Sequence, residues 1–339
     1  MKVASGLAYG PRPAPELAAE AVGSALAKAG LERAEHVILL LSHEFMRHPD
    51  AAVLAAARTA GCLQVSGATA NGLFTEDGGQ LDQPAAAALV IADNAAAVTV
   101  GDAPLISFSG HGTLPYDWQA GPARAGLLEA DGAAWTHGRV AGNACAEFRL
   151  PGLRSRRALS TGLRRLGDGQ PVDLSENYEL RRIGGHSAVD SLHRALPPEL
   201  REFPPLHHIV LLRSPDEPAI AILSANADGS LTLAAELEAG EKVSWAIRQP
   251  LAAEQEMRQV LQMAASAGGK PDFGLMFSCI GRGPLFYGDD DRDRQAFCEQ
   301  FPQTPLLGVY GSGQIAPVGA HNRLFHNSVI TLLFESTDV

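Results

Sequence analysis

The chain has 339 residues, of which 46% are hydrophobic, 19% charged and 6% aromatic, and its formal net charge at pH 7 is -11. This composition predicts a folded chain with two domains or lobes. The acidic excess argues against nucleic acid or an anionic membrane as a partner, because both select basic surfaces. Short apolar runs, the lack of a signal-peptide core and four cysteines without a CxxC pair predict a cytoplasmic protein with reduced thiols.

The first predicted elements alternate between strand and helix. Residues 36–42 form an apolar strand, and a helix then begins at Pro49-Asp50 and ends at Gly61. Strands at 63–69 and 85–92 follow, and Asn71-Gly72 gives a turn between them.

The middle of the chain predicts successive antiparallel strands. They cover residues 220–226, 231–235 and 242–249, and Asp228-Gly229 forms the turn between the first two. A helix at 252–267 has an apolar stripe at helical spacing, which indicates core packing. The arginine-rich stretch 149–165 is the expected junction between the halves.

The last third repeats the order of the first. We expect a strand at 273–279, a helix at 291–301, and strands at 306–310 and 328–335. The pattern Gly67-x4-Gly72 also resembles Gly308-x4-Gly313. We therefore predict a mixed α/β fold (α+β, mixed sheets), with two related α/β lobes from an internal duplication and a ligand crevice between them.

The segment FSCIGRGP places Ser278, Cys279 and Arg282 at the end of a buried strand, among Gly281 and Gly283. Glycine lets backbone N–H groups approach an anion, and a guanidinium binds a carboxylate or phosphate in bidentate fashion. Alternatively, Cys279 is a nucleophile with His321 or His326 as its base, although a cysteine at a strand end is commonly an inert core residue.

Two further segments carry polar groups. Tyr310, Gln314, His326 and Asn327 lie in a stretch that orients a polar ligand or simply forms an elaborate β-hairpin. The second segment, ALSTGLRRLG (158–167), lies among arginines that have no acid next to them in the sequence. Such arginines contact RNA or, more commonly, are solvated or paired with acids elsewhere in the chain.

The sequence lacks the signature motifs of several enzyme classes. The sequence has no GxSxG, HExxH or GxxxxGK motif, and no complete dinucleotide fingerprint. The histidines show no metal-ligand spacing. We therefore expect neither a metal nor another cofactor.

Taken together, ALSTGLRRLG, FSCIGRG and GVYGSGQIAPV resemble the FIST sensory domain family. The resemblance implies an N-terminal FIST domain over 1–180 and a C-terminal one over 181–339, in a bacterial protein that senses amino acids or related metabolites. Ser160, Gly162 and Arg164 fall on one family motif, and Cys279, Gly281, Arg282 and Gly283 fall on another. Thr161, Arg165 and Gln314 depart from the family pattern, so a neutral Gln314 beside Arg282 would leave extra positive potential.

The sequence thus predicts a sensory protein that binds a small carboxylate-bearing ligand and signals to a separate partner. Arg164 and Arg282 are expected to converge on one pocket. An enzyme that uses Cys279 and a protein-binding scaffold are the alternatives. The predicted ligand-binding residues are Ser160, Gly162, Arg164, Ser278, Cys279, Gly281, Arg282, Gly283, Tyr310, Gln314, His326 and Asn327.

Overall fold

A computed structural model describes residues 1–92 and 103–336, which fall into two compact units. The first unit comprises Met1–Ser160 and Met257–Val339, and the second comprises Thr161–Glu256. The second unit is therefore inserted into the sequence of the first. Its start lies inside the arginine-rich stretch 149–165, whereas the division into family domains at residue 180 stays a prediction.

The strands before the insertion are β1 (Lys2–Tyr9), β2 (His36–Ser42), β3 (Val65–Ala70), β4 (Gly72–Thr75), β5 (Gly78–Gln80), β6 (Ala85–Ala92), β7 (Leu105–Ser109), β8 (Arg124–Leu128), β9 (Ala134–Thr136), β10 (Arg139–Val140), β11 (Cys145–Phe148) and β12 (Leu153–Ser160). Those of the second unit are β13 (Leu163–Arg165), β14 (Gln170–Glu176), β15 (Glu179–Ile183), β16 (His186–Ser187), β17 (Ile209–Leu212), β18 (Ile220–Ala225), β19 (Leu231–Leu233) and β20 (Lys242–Arg248).

The remaining strands are β21 (Phe273–Cys279), β22 (Leu306–Gly311), β23 (Gly313–Val318), β24 (His321–Phe325) and β25 (Val329–Ser336). The α-helices of the described residues are α1 (Pro15–Ala29), α2 (Asp50–Ala60), α3 (Ala188–Ala195), α4 (Pro250–Ser266), α5 (Pro284–Tyr287) and α6 (Arg292–Gln300).

Local sequence signals account for several of these boundaries. Helix α2 ends at Gly61, which adopts the left-handed conformation (φ 64°) that favours glycine. Helix α6 begins after Asp291, whose side chain accepts a hydrogen bond from the Arg294 N–H as an N-cap. The predicted strands 36–42 and 273–279 are confirmed with the same bounds, and the helix predicted at 252–267 is α4.

Two sheets of the first unit have the same strand order. One runs β1-β6-β2-β3-β9-β10, and the other runs β12-β25-β21-β22-β4-β5. In the first four strands of each sheet, the first two pairings are antiparallel and the third is parallel. A helix also crosses over within each parallel pair, α2 between β2 and β3 and α6 between β21 and β22.

The two halves of the first unit also exchange strands. Strand β4, from the N-terminal half, pairs with β22, and β23, from the C-terminal half, pairs with β8. The third sheet consequently runs β11-β7-β8-β23-β24. Phe108, Phe277 and Leu307 lie in one buried cluster, so the two halves share a hydrophobic core.

The second unit contains a small β-barrel. Its ring is β20-β14-β15-β19-β18-β17, and pairing of β17 with β20 closes it. Leu180, Leu231 and Trp245 fill the interior. The hairpin predicted around Asp228-Gly229 is β18 and β19. The third predicted strand is β20, which pairs antiparallel with β17, β14 and β13.

Among the helices of residues 1–92 and 103–336, none combines the length and the apolar character required to cross a bilayer.

Candidate functional site

The candidate site lies where the parallel strands β21 and β22 end. A short 3-10 helix (Ile280–Arg282) and α5 follow β21, while Ser312 connects β22 to β23. Residues that follow neighbouring parallel strands meet at one sheet edge, which is where α/β sheets bind ligands. This edge collects most of the predicted site residues of the first unit.

A cavity of about 700 Å³ opens at this edge. This volume falls within the range of small-molecule sites, roughly 300–1,000 Å³. The lining comes from both halves of the first unit: Asn71, Gly79, Gln80, Leu81 and Asp82 from the N-terminal half, and Ile280, Pro284, Leu285, Asp289, Asp290, Asp291, Arg294, Gln295 and Tyr310 from the C-terminal half.

The lining carries both signs of charge. Asp82, Asp289 and Asp290 contribute carboxylates, and Arg294 contributes a guanidinium. Arg294 Nη1 donates to the carbonyl oxygen of Glu76 at 3.1 Å, which anchors the side chain at the wall. The cavity can therefore contact an anionic and a cationic group of one ligand.

Tyr310 and Asp291 both line the cavity and are joined by a hydrogen bond. The Tyr310 hydroxyl donates to Asp291 Oδ2. Burial raises the pKa of Tyr310, so its hydroxyl stays protonated at neutral pH. Of the predicted ligand-binding residues, Tyr310 is the one that lines this cavity.

Arg282 is deeply buried and paired with an acid. Its side chain is 1% exposed, and Nη2 donates to Asp293 Oδ1 at 2.9 Å, to Ser160 Oγ at 3.2 Å and to the Tyr287 hydroxyl at 3.1 Å. Burial raises the pKa of Asp293 to about 6, although the charge of Arg282 opposes this effect. The expected excess of positive potential beside Arg282 is therefore wrong, because Asp293 balances the guanidinium.

Two further donors of Arg282 are unsatisfied. Nε and Nη1 are buried and make no hydrogen bond within residues 1–92 and 103–336. A buried donor without an acceptor costs about 1–3 kcal/mol. These nitrogens are therefore available to a hydrogen-bond acceptor that reaches them.

Cys279 and Gln314 are held together by the backbone. Cys279 is 5% exposed, and its N–H donates to the carbonyl oxygen of Ser328 at 3.0 Å. In the orientation that satisfies both ends of its amide, Gln314 accepts from the same N–H at 3.1 Å and donates to Ser328 O and Phe325 O, each at 3.2 Å. Gln314 therefore binds the backbone, in a strand of the β23–β24 hairpin.

The sequence alternative of a nucleophilic Cys279 requires a base beside its thiol. Among the described residues, no base makes a hydrogen bond to Cys279 Sγ. His326 Nδ1 instead lies 3.1 Å from the carbonyl oxygen of Ser312. An activated cysteine requires a base or a positive charge beside the sulfur.

The glycines of the 277–284 segment permit close packing. A Cβ at Gly281 would lie 2.6 Å from Asn327 Oδ1, and a Cβ at Gly283 would lie 3.1 Å from the Tyr310 ring. Both positions therefore exclude larger residues without a shift of their neighbours. The segment brings Gly281, Gly283, Tyr310 and Asn327 together.

Gly162 and Arg164 belong to the second unit. The Gly162 N–H donates to Glu256 Oε2 at 2.5 Å, and Arg164 Nε donates to Gln249 Oε1 at 2.7 Å. Glu256 also accepts from Thr161 Oγ1 at 3.1 Å. The convergence of Arg164 with Arg282 on one pocket stays a prediction.

The arginines of 149–165 do find partners. Arg156 Nη2 lies 3.5 Å from Glu335 Oε2, and Arg149 Nη1 donates to the carbonyl oxygen of Ala103 at 3.0 Å. The interpretation that such arginines pair with acids elsewhere in the chain is confirmed for Arg156, because β12 pairs with β25 and brings Glu335 beside it.

Sequence reasoning missed Glu129, a carboxyl that is 4% exposed and lies just after β8. It accepts hydrogen bonds from Asn71 Nδ2 and Ser312 Oγ. Its two partners come from distant segments of the chain, so no local motif marks it. In the part of the chain that the structure describes, no cluster of three or more His, Cys, Asp or Glu residues is arranged to hold a metal ion.

Residues 188–317 match the FIST C domain family. Uncharacterized protein Rv0628c of Mycobacterium tuberculosis (strain ATCC 25618 / H37Rv) is 26% identical over 200 residues, which cover 55% of this chain and 52% of that protein. Uncharacterized protein Mb0898c of Mycobacterium bovis is 24% identical over 200 residues, with the same coverage of 55% and 52%. The chain thus spans about half the length of these curated relatives.

Proposed function

Because the chain contains a FIST C domain over residues 188–317, we propose that it is a sensory protein that binds a small zwitterionic metabolite, such as an amino acid. The observation that carries this proposal is the cavity of about 700 Å³ whose lining combines one arginine with several carboxylates. Small-ligand sites typically pair such a concave surface with a few placed polar groups.

The charges of the lining define the class of ligand. Arg294 offers a guanidinium that binds a ligand carboxylate. Asp82, Asp289 and Asp290 offer carboxylates to a ligand ammonium group. These carboxylates would repel a ligand whose charged groups are all carboxylates. A ligand that carries both a carboxylate and an ammonium group is therefore favoured.

The proposal includes an internal duplication of the first unit. The shared order β1-β6-β2-β3 and β12-β25-β21-β22 supports it, as do the crossover helices α2 and α6. In this account the cavity is the crevice between the two duplicated halves, since residues of both line it. The second unit is then an insertion between β12 and α4 of the C-terminal half.

Arg282 supports the cavity wall in this proposal rather than the ligand itself, because it is buried and is not one of the lining residues. Its ion pair with Asp293 keeps the segment after β21 in place. Transmission of the signal to a separate protein partner completes the proposed role.

A thermal-shift panel tests the ligand class. It compares amino acids with the matching organic acids, which lack the amine, and the matching amines, which lack the carboxylate. A bound ligand stabilises the folded state in proportion to RT ln(1 + [L]/Kd). We expect an amino acid to raise Tm while its two one-charge analogues do not. A panel in which only acids, only amines or no compound raised Tm would contradict the proposal.

A further inference from the structure

Glu129 is a carboxyl group fixed inside the first unit. It follows β8 directly, and its backbone N–H donates to the carbonyl oxygen of Ser109 at 2.8 Å. Its own carbonyl oxygen accepts from the Gly112 N–H at 2.7 Å. The backbone is therefore held on both sides, and the side chain, in a residue that is 4% exposed, points into the protein rather than into water.

The carboxyl oxygens of Glu129 accept hydrogen bonds from two residues that each connect a pair of strands: Asn71 between β3 and β4, and Ser312 between β22 and β23. Asn71 Nδ2 donates to Oε2 at 3.0 Å and to Oε1 at 3.3 Å, and the Asn71 backbone N–H donates to Oε1 at 3.3 Å. Ser312 Oγ donates to Oε2 at 2.8 Å. Asn71 directly precedes Gly72, and Ser312 directly precedes Gly313, so both occupy the same place in the repeated glycine pattern.

Among the residues that the structure describes, Glu129 has no cationic partner. Within residues 1–92 and 103–336 it forms no ion pair and no hydrogen bond to a charged side chain. The titratable side chains of the adjoining segments are His111, Asp131, Tyr310 and His326. Tyr310 donates to Asp291, and His326 and His111 contact backbone carbonyl oxygens instead.

Packing around Glu129 is tight. A Cβ at Gly311 would lie 2.8 Å from Glu129 Oε1, and a Cβ at Gly132 would lie 3.2 Å from Glu129 Cβ. An ionised carboxyl in such a place depends on the hydrogen bonds that it accepts, because a buried charge without an ion-pair partner is otherwise costly.

Asn71 connects this carboxyl group to the ligand cavity. Asn71 lines the cavity, and its side-chain amide nitrogen donates to the Glu129 carboxyl group. Its Oδ1 makes no hydrogen bond in the described part of the chain, and it is not among the buried unsatisfied atoms. The amide is therefore oriented by its nitrogen, which leaves the oxygen as an acceptor.

We propose that Glu129 is a positioning residue that orients the Asn71 amide, so that the cavity presents a fixed acceptor when Glu129 is ionised and loses it when Glu129 takes up a proton. The inference rests on the proposed ligand cavity, which Asn71 lines. A proton from solvent turns one carboxyl oxygen into a donor. Asn71 can then rotate its amide so that Oδ1 accepts this proton and Nδ2 faces away from Glu129.

The energetics support a change of charge near neutral pH. Burial raises the pKa of Glu129 to about 7, and the hydrogen bonds from Ser312 and Asn71 lower it only in part. A ligand that donates a hydrogen bond to Asn71 would therefore bind more tightly above this pH than below it, with release of a proton on binding.

The test follows the Asn71 side-chain amide by NMR between about pH 5 and pH 9 on the ligand-free protein. The resonance is identified by its loss in Asn71→Ser. We expect it to shift with a midpoint near pH 7 and to stop titrating in Glu129→Gln, whose side chain stays neutral. Glu147→Gln, which changes a glutamate paired with Arg124 at 2.7 Å, is the matched control and should leave the titration unchanged.

The carboxyl carbon of Glu129, followed by 13C NMR in the wild-type protein, gives a second readout that requires no folded variant. Its midpoint should coincide with that of the Asn71 amide. An Asn71 amide without an inflection in this range, or one that titrates equally in Glu129→Gln, would overturn the inference. Neither readout uses a ligand, so the result stands apart from the outcome of the thermal-shift panel.

Discussion

Arg282 Nη2 and Asp293 Oδ1 lie 2.9 Å apart, and each of the two side chains is 1% exposed. The pair joins the short 3-10 helix after β21 to the first turn of α6. A buried guanidinium is tolerated because a carboxylate and two hydroxyl groups satisfy one of its nitrogens. This ion pair fixes the segment that forms one wall of the cavity.

Arg282→Met should lower the free energy of unfolding by about 3–5 kcal/mol, because it leaves Asp293 buried without its partner. Urea unfolding at neutral pH measures the change. Arg292→Met is the matched control, since Arg292 pairs with Asp290 at 3.4 Å with both side chains exposed, and its loss should change stability by less than about 1 kcal/mol. Equal stabilities of the two variants would contradict the assigned role of the buried pair.

The stability of the protein should carry a pH dependence from Glu129. Its pKa is about 7 in the folded protein and 4.5 for the free group, so the unfolded state loses its proton first as pH rises. The contribution of Glu129 to the free energy of unfolding is fully present below pH 4.5. It falls by about 3 kcal/mol as the pH rises past 7, because the folded protein holds the proton longer than the unfolded chain.

Urea unfolding of the wild type and Glu129→Gln across this range isolates the effect. The free energy of unfolding of the wild type, relative to the variant, should decline with rising pH. If the difference in unfolding free energy between the wild type and Glu129→Gln stayed constant or increased with pH, burial would not raise the pKa of the Glu129 carboxyl group.

Gly67→Ala should destabilise the first unit strongly. The added Cβ would lie 1.7 Å from the carbonyl oxygen of Leu39, a backbone atom of the neighbouring parallel strand, so we expect a loss of about 3 kcal/mol. Gly78→Ala places its Cβ in open space, with no atom within 4 Å, and should leave stability unchanged or raise it by up to about 1 kcal/mol. Thermal unfolding distinguishes the two, and a tolerated Gly67→Ala would argue against the packing of β3 on β2.

Cys279 should resist iodoacetamide in the folded protein, because its side chain is buried. Cys62, Cys145 and Cys298 are partly exposed and should be modified first. Mass spectrometry of the native protein gives the order of labelling. Stoichiometric modification of Cys279 ahead of the other three would revive the alternative of a cysteine enzyme.

The central elements of both halves of the first unit are predictable from sequence because their signals are local. The apolar run of β2, the left-handed Gly61 after α2 and the Asp291 cap of α6 each depend on residues close in the chain. The β18–β19 hairpin follows from its Asp228-Gly229 turn in the same way.

The parts that sequence reasoning missed depend on pairings between distant residues. Closure of the barrel requires β17 to pair with β20, and exchange of β4 and β23 crosses between the halves. The partners of Arg282 and Glu129 likewise come from segments that no motif connects, namely Asp293 of α6 and Asn71 after β3. The polar character of the cavity therefore could not be read from the glycine motifs alone.

The most direct test of the account is calorimetric titration of the amino acid that gives the largest thermal shift. The wild type should bind one equivalent, and Arg294→Gln should bind at least about tenfold more weakly through loss of a charge-assisted contact. Arg258→Gln changes an exposed arginine that pairs with Glu299 and does not line the cavity, so it should match the wild type. Equal dissociation constants for the wild type and Arg294→Gln would show that the ligand does not occupy this cavity.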